Sequence, residues 1–173
     1  MKKGKQPESG LRHILTHAHK DGMIAFMHDH PDTFGELVDL AVADEGKLSW
    51  RAVWLLWSCM EANDPRILPF IPRFLELLPG GNESYQRDAL MVLQRMERTE
   101  EQDGILYDIC TRIWVKVNSI PSVRYNALRC MVSIARTFPE LAAETISLAE
   151  PKYVNTLSPG VRHSVARILK EIS

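Results

Sequence analysis

Three segments of this chain carry one apolar spacing. Tyr85, Ala89, Val92, Leu93 and Met96 stand at i, i+4, i+7, i+8 and i+11, as do Val123, Ala127, Cys130, Met131 and Ile134. Val161, Val165, Ile168, Leu169 and Ile172 repeat the spacing, and Trp50, Trp54 and Trp57 match its first part. These offsets trace one stripe of an amphipathic helix. The stripes recur 35 to 38 residues apart, the length of a helical hairpin, so each hairpin can bury its stripe only against the next. Such a chain folds as a stack of helix pairs and works by presenting a surface.

At 173 residues and 45% hydrophobic content, the chain can bury a substantial core. The predicted organisation is a disordered polar tail over residues 1–8 and one helical domain over 9–173. No period-2 run or hairpin turn points to strands. A formal net charge of -1 lacks the bias of a non-specific nucleic-acid binder. Cys59, Cys110 and Cys130 form no C-x-x-C pair and read as reduced, packing thiols, which points to a cytoplasmic protein. The basic first residues precede no apolar run, and no stretch reaches the roughly 18–20 apolar residues of a membrane span.

Serines precede four of the stripes, at Ser49, Ser84, Ser122 and Ser158. A hydroxyl there can accept an otherwise unpaired N–H of the first turn. Pro31, Pro65, Pro139 and Pro159 are suited to first helical positions, where the missing N–H costs nothing. The predicted helix pairs are Trp50–Ala62 with Pro65–Leu78, Tyr85–Arg98 with Glu101–Val117, and Val123–Thr137 with Pro139–Ala149. A lone helix, Val161–Ile172, ends the stack. Pro69 and Pro72 predict a late start or a kink in the Pro65 helix, and Pro151–Leu157 reads as a loop. Leu11–His19 is read as a degenerate first helix of a pair, because Leu11, Arg12 and Leu15 match Trp50, Arg51 and Trp54 at a spacing of 39. Asp21–Asp29 adds a short helix.

The Val-Arg-x-x-Ala start at Val123, Arg124 and Ala127, repeated as Val161-Arg162 with Val165, resembles the HEAT and Armadillo repeat superfamily. The resemblance covers about Leu11 to Ile172. It implies an all-α fold, a right-handed α-α superhelix of about four helical hairpins with irregular N-terminal helices. In that family the second (B) helices of the pairs line the concave side.

Catalytic patterns are missing: the sequence has no Gly-x-Ser-x-Gly, no phosphate-binding glycine loop, no H-E-x-x-H and no zinc-type cysteine pair. A non-catalytic protein without a cofactor is the expectation. Deoxyhypusine hydroxylases repeat His-Glu pairs across HEAT layers, and this chain has no His-Glu dipeptide. HEAT-like alkylpurine DNA glycosylases are a nearer rival, holding DNA with Trp, Asp and Arg. Five histidines, His13, His17, His19, His28 and His30, crowd the first thirty residues. His13 and His17 are four apart on a helix and could share a metal or form a pH sensor, against the simpler reading of exposed polar residues. The tryptophans of the first stripe are assigned to the seam between layers, as is Trp114 to the core.

Charge divides between the helices. The predicted B helices carry mostly acids, among them Asp39, Glu76, Glu101, Asp108 and Glu140, while the A helices carry Arg51, Arg87, Arg95, Arg124, Arg129, Arg136 and Arg162. Some of these arginines are expected to bond acids or carbonyls of a neighbouring layer. An acidic-to-mixed B face favours a basic protein or peptide partner over nucleic acid. Arg66, Arg73, Asp103, Tyr107, Arg112 and Glu144 are its candidate contacts. The last helix, with Val165, Leu169 and Ile172 expected to be partly covered, offers a possible dimer face.

Overall fold

Helix starts are set by short polar caps and by proline. The computed structural model describes residues 9–173, so the expected tail over 1–8 lies outside the described residues. Among those described are eleven α-helices and no strand: α1 Gly10–His17, α2 Lys20–Asp29, α3 Phe34–Ala41, α4 Lys47–Cys59, α5 Ile71–Leu77, α6 Glu83–Gln94, α7 Glu100–Val115, α8 Pro121–Thr137, α9 Ala142–Ser147, α10 Pro151–Val154 and α11 Pro159–Leu169. The chain is an all-α, HEAT-like repeat fold.

Most caps differ from the serines read in the sequence. Ser9 caps α1 by accepting the Arg12 N–H, and Asn82 caps α6 by accepting the Tyr85 N–H at 2.9 Å. Thr99 and Gln102 form a reciprocal capping box at α7. Ser84 and Ser122 lie inside their helices, and only Ser158 occupies a cap position, without a hydroxyl–amide bond. Ser49 is also internal: α4 starts two residues earlier, after Gly46 in a left-handed conformation at φ 58°. Pro31, Leu68-Pro69 and Pro139 sit in 3-10 turns leading into α3, α5 and α9. Each proline stands at the first or second position of its turn, where its missing N–H costs no helical bond. Pro151–Val154, read as loop, forms one helical turn, with Pro151 at its first position.

Helices α1, α4, α6, α8 and α11 form one row, the A row. Its members pack directly on one another, α4 on α6, α6 on α8 and α8 on α11. The B row of α3, α5, α7 and α9 packs less closely along its length, α5 on α7 being its one substantial lateral contact among the described residues. Each layer is closed across the rows, most extensively where α7 meets α8 and α3 meets α4. The predicted pairing of α8 with the helix after it is present, α9 packing on α8, whereas α3 and α7 pack chiefly on the A helix that follows them.

The stripes of α6 and α8 are buried at all five positions. In α11, Val165 and Ile168 are buried while Leu169 and Ile172 are half-buried, so Val165 is better covered than expected. The first stripe is one residue out of register. In α4, Ser49, Val53 and Leu56, followed by Met60, are buried at the stripe spacing, together with Ala52 and Leu55, and Trp50, Trp54 and Trp57 are half-exposed. Counting from Ser49, the spacing back to Leu11 and forward from Tyr85 to Val123 is 38, and Leu11 and Leu15 are fully buried at matching slots. A one-residue step rotates a side chain by about 100° around a helix. The tryptophans thus leave the seam and line the flank of the A row.

Between α4 and α5, Asp64 is buried and accepts from Arg66 Nε and Nη2 at 2.9 and 2.6 Å, and from the backbone N–H groups of Arg66 and Glu61. The Arg66 guanidinium holds its carboxyl below the usual carboxylate range. A lowered folded pKa gives a contribution that is complete above the ordinary aspartate range and disappears as pH falls through the lowered value. Asp64→Asn should cost about 1–3 kcal/mol at neutral pH. In chemical denaturation at stepped acidic pH, the variant should lose less stability on acidification than the parent.

Candidate functional site

The A row exposes two open grooves along its outer face. The first crosses four helices and holds about 350 Å³, lined by Trp57 of α4, Met91, Gln94 and Arg95 of α6, Arg129, Val132, Ser133 and Arg136 of α8, and Ile168 with Glu171 at the end of α11. The second holds about 520 Å³ between α2, α4 and α6, lined by His19, Lys20, Asp21, Met23, Trp50, Arg51, Trp54 and Arg87. Helical periodicity explains why these side chains meet. Trp50, Trp54 and Trp57 are three or four residues apart on α4, as are Met91, Gln94 and Arg95 on α6 and Arg129, Val132 and Arg136 on α8.

Both grooves are cationic. Arg95, Arg129 and Arg136 stand against Glu171 in the first, and Lys20, Arg51 and Arg87 against Asp21 in the second. Several of these cations also join the layers. Arg95 Nη1 donates to the carbonyls of Trp57 and Met60, at 2.8 and 3.4 Å, and Arg51 Nη2 donates to the carbonyl of Ala18. Bonds to neutral carbonyls satisfy donors without cancelling charge, so these guanidinium groups keep their field over the groove. Arg136 is paired with Glu171 at 3.4 Å in an exposed contact, and Arg87 grips buried Asp88. Lys20 Nζ lies 4.9 Å from the Trp54 ring centroid.

Hydrogen-bond donors outnumber acceptors here. Trp50 Nε1, Arg51 Nε and Trp57 Nε1 are buried without a partner, and they are the only such side-chain atoms among the described residues. All three lie on α4, and their residues border the two grooves.

The residues singled out on the B helices do not converge. Arg66 is locked to Asp64 with its guanidinium 3.5 Å from the Phe34 ring centroid, and Arg73 pairs with Glu76 at 2.7 Å. Asp103 is turned inward, accepting from Arg98 Nε at 2.6 Å. Tyr107 is buried, with its hydroxyl 2.9 Å from Thr145 Oγ1, and burial pushes its phenol up. Arg112 and Glu144 are exposed on separate helices, α7 and α9. A groove between α5 and α7, lined by Pro72, Leu75, Glu101 and Ile105 among others, includes none of the six.

The histidines are exposed and fall into separate places. His13 and His17 share a face of α1 with ring centroids 4.6 Å apart, His19 precedes α2, His28 lies 3.3 Å from Asp29, and His30 packs on Phe26. Among the described residues, no group of three or more His, Cys, Asp or Glu side chains is placed to hold a metal ion. Cys110 and Cys130 are buried free thiols, and burial beside Cys130 pushes the Cys110 thiol well up. No described helix is long and apolar enough to cross a membrane.

The A-row grooves were missed in the sequence because the tryptophans were placed in the seam. The signal that could have shown them was available: Leu11 and Leu15 align with Ser49 and Val53 at the same 38-residue period as the later repeats.

Two rows of helices, bonded layer to layer and grooved on the outside, define a helical repeat scaffold. The chain belongs to the HEAT repeat domain family, whose model matches residues 8–172. Comparison with curated proteins and with solved structures finds no significant match.

Proposed function

We propose that this protein is a non-catalytic scaffold that binds an acidic segment of a partner protein along its A-row face. The observation that carries this reading is the pair of cationic, tryptophan-lined grooves with every unpaired buried donor beside them. An occupant must bring acceptors and negative charge. This places the interface opposite the B-helix contacts expected from charge pattern, and makes the partner acidic rather than basic.

A glycosylase-type reading lacks its carboxylate. The buried acid nearest the grooves, Asp88, is clamped by Arg87 at 2.9 Å, and Asp21 and Glu171 are exposed at the margins. A net charge of -1 also gives the whole molecule no attraction for a polyanion.

Affinity capture with paired variants tests the proposal. The partner recovered by the parent protein should be lost, with about tenfold or greater weakening, by Arg129→Glu with Arg136→Glu, and its binding should weaken with salt. Arg112→Glu with Glu144→Lys on the B row should leave it bound. The opposite pattern would return the interface to the B row.

A further inference from the structure

Resting on the reading above, the geometry points to the groove between α2, α4 and α6 as an anchor pocket. We propose that it takes a single aromatic or large apolar side chain of the partner, and that the partner's acidic residues begin about three positions from that anchor.

The two grooves differ in what they can hold. The α2–α4–α6 groove has two indoles, Trp50 and Trp54, and the Met23 side chain among its walls, and its volume of about 520 Å³ accommodates a large side chain with adjoining backbone. Lys20, over the Trp54 ring, favours a carboxylate or carbonyl next to the inserted group, Arg87 being held by Asp88. The other groove is crossed by three arginines and offers less apolar floor, chiefly Trp57, Met91 and Ile168. It suits acidic side chains.

The spacing follows from α4, which borders both grooves. From Trp50 to Trp57 is seven residues, about 10 Å along a helix. An extended peptide covers that distance in about three residues at roughly 3.3–3.6 Å each. A protein segment is favoured over a nucleic acid because the anchor groove supplies apolar walls for one inserted group, whereas a strand of nucleotides would need a continuous basic track.

Synthetic peptides provide the test, read by the intrinsic fluorescence of the parent protein. Trp50, Trp54 and Trp57 are half-exposed at the grooves, while Trp114 is fully buried. The probes are Phe-Gly-Gly-Glu-Glu-Glu, its Ala-for-Phe counterpart, and Phe-Gly-Gly-Lys-Lys-Lys, each acetylated and amidated. The first should bind at least about tenfold tighter than either other peptide. Trp54→Ala, and independently the exposed-site change Lys20→Glu, should remove the advantage of Phe over Ala. Arg129→Glu should weaken both Glu-bearing peptides alike. Equal binding of the Phe and Ala peptides, with the Arg129→Glu loss retained, would overturn the anchor and leave the acidic-partner reading standing. Binding of neither Glu-bearing peptide would overturn both. So would tighter binding of an oligothymidylate than of the first peptide.

Discussion

Replacing Arg124 by Met should destabilise the protein by about 3–5 kcal/mol, lowering the midpoint of thermal unfolding by roughly 10 °C. Arg124 is 1% exposed on α8. Its Nε donates to the Trp114 carbonyl at 2.9 Å, Nη2 to the Tyr153 carbonyl at 2.9 Å, and Nη1 to Thr156 Oγ1 at 2.8 Å. One side chain therefore ties α8 to the end of α7 and to the turn after α10. Methionine keeps much of the stem but leaves the Trp114 and Tyr153 carbonyls without these donors. The Trp114 carbonyl carries most of the cost, because the Tyr153 carbonyl still accepts from Thr156 Oγ1 at 2.7 Å. Burial pulls the Arg124 pKa down, yet no acid faces it in these contacts. Lysine should rescue little, since a single ammonium cannot reproduce a fork reaching three acceptors. Denaturant unfolding of the parent, Met and Lys variants measures each difference. A loss under about 1 kcal/mol for Met would mean that the layers do not depend on this link.

Trp114→Ala should cost a similar amount, about 3–5 kcal/mol. The indole is fully buried on α7, and its N–H donates to the Leu148 carbonyl at 2.7 Å. The Arg124 guanidinium lies 4.8 Å from the ring centroid. Truncation opens a large cavity, exposes that carbonyl without a partner and removes the surface on which the guanidinium rests. Trp114→Phe separates these effects: it should retain most packing and lose about 1–3 kcal/mol for the unmade bond. Because the two residues touch, the Trp114→Ala, Arg124→Met double variant should be less unstable than the sum of the singles. Additivity within error would show that the contact carries no coupling.

These two residues illustrate what was legible beforehand. The position of Trp114 reads as core, and the expected bonds of A-row arginines to acids or carbonyls of a neighbouring layer are made by Arg51, Arg95 and Arg124, all to carbonyls. The acceptors could not be named, because they are carbonyls of turns whose paths depend on packing. Caps were harder still. Serines are common in first turns as well as at caps, and Asn82 and Thr99 were chosen by the chain path rather than by local preference.

The groove was the least legible part. Ser49 occupies a seam position, and a small polar residue there gives no hydrophobic signal, so periodicity alone starts the stripe at the adjacent tryptophan. That one-residue error carried Trp50, Trp54 and Trp57 from surface to interior, and with them the recognition of the A-row face.

By itself the sequence determined that this chain is a stack of helix pairs repeating every 35 to 38 residues, because only one helical face of each repeat can be apolar and it must meet the next repeat. It also determined the arginine-rich character of the A helices. Only the tertiary structure decided which flank of those helices stays open. Exposure depends on rotation about each helix axis and on the distance between neighbouring helices. Both are settled by side chains far apart in the chain, such as Leu11, Val53 and Ala89, packing into one continuous core.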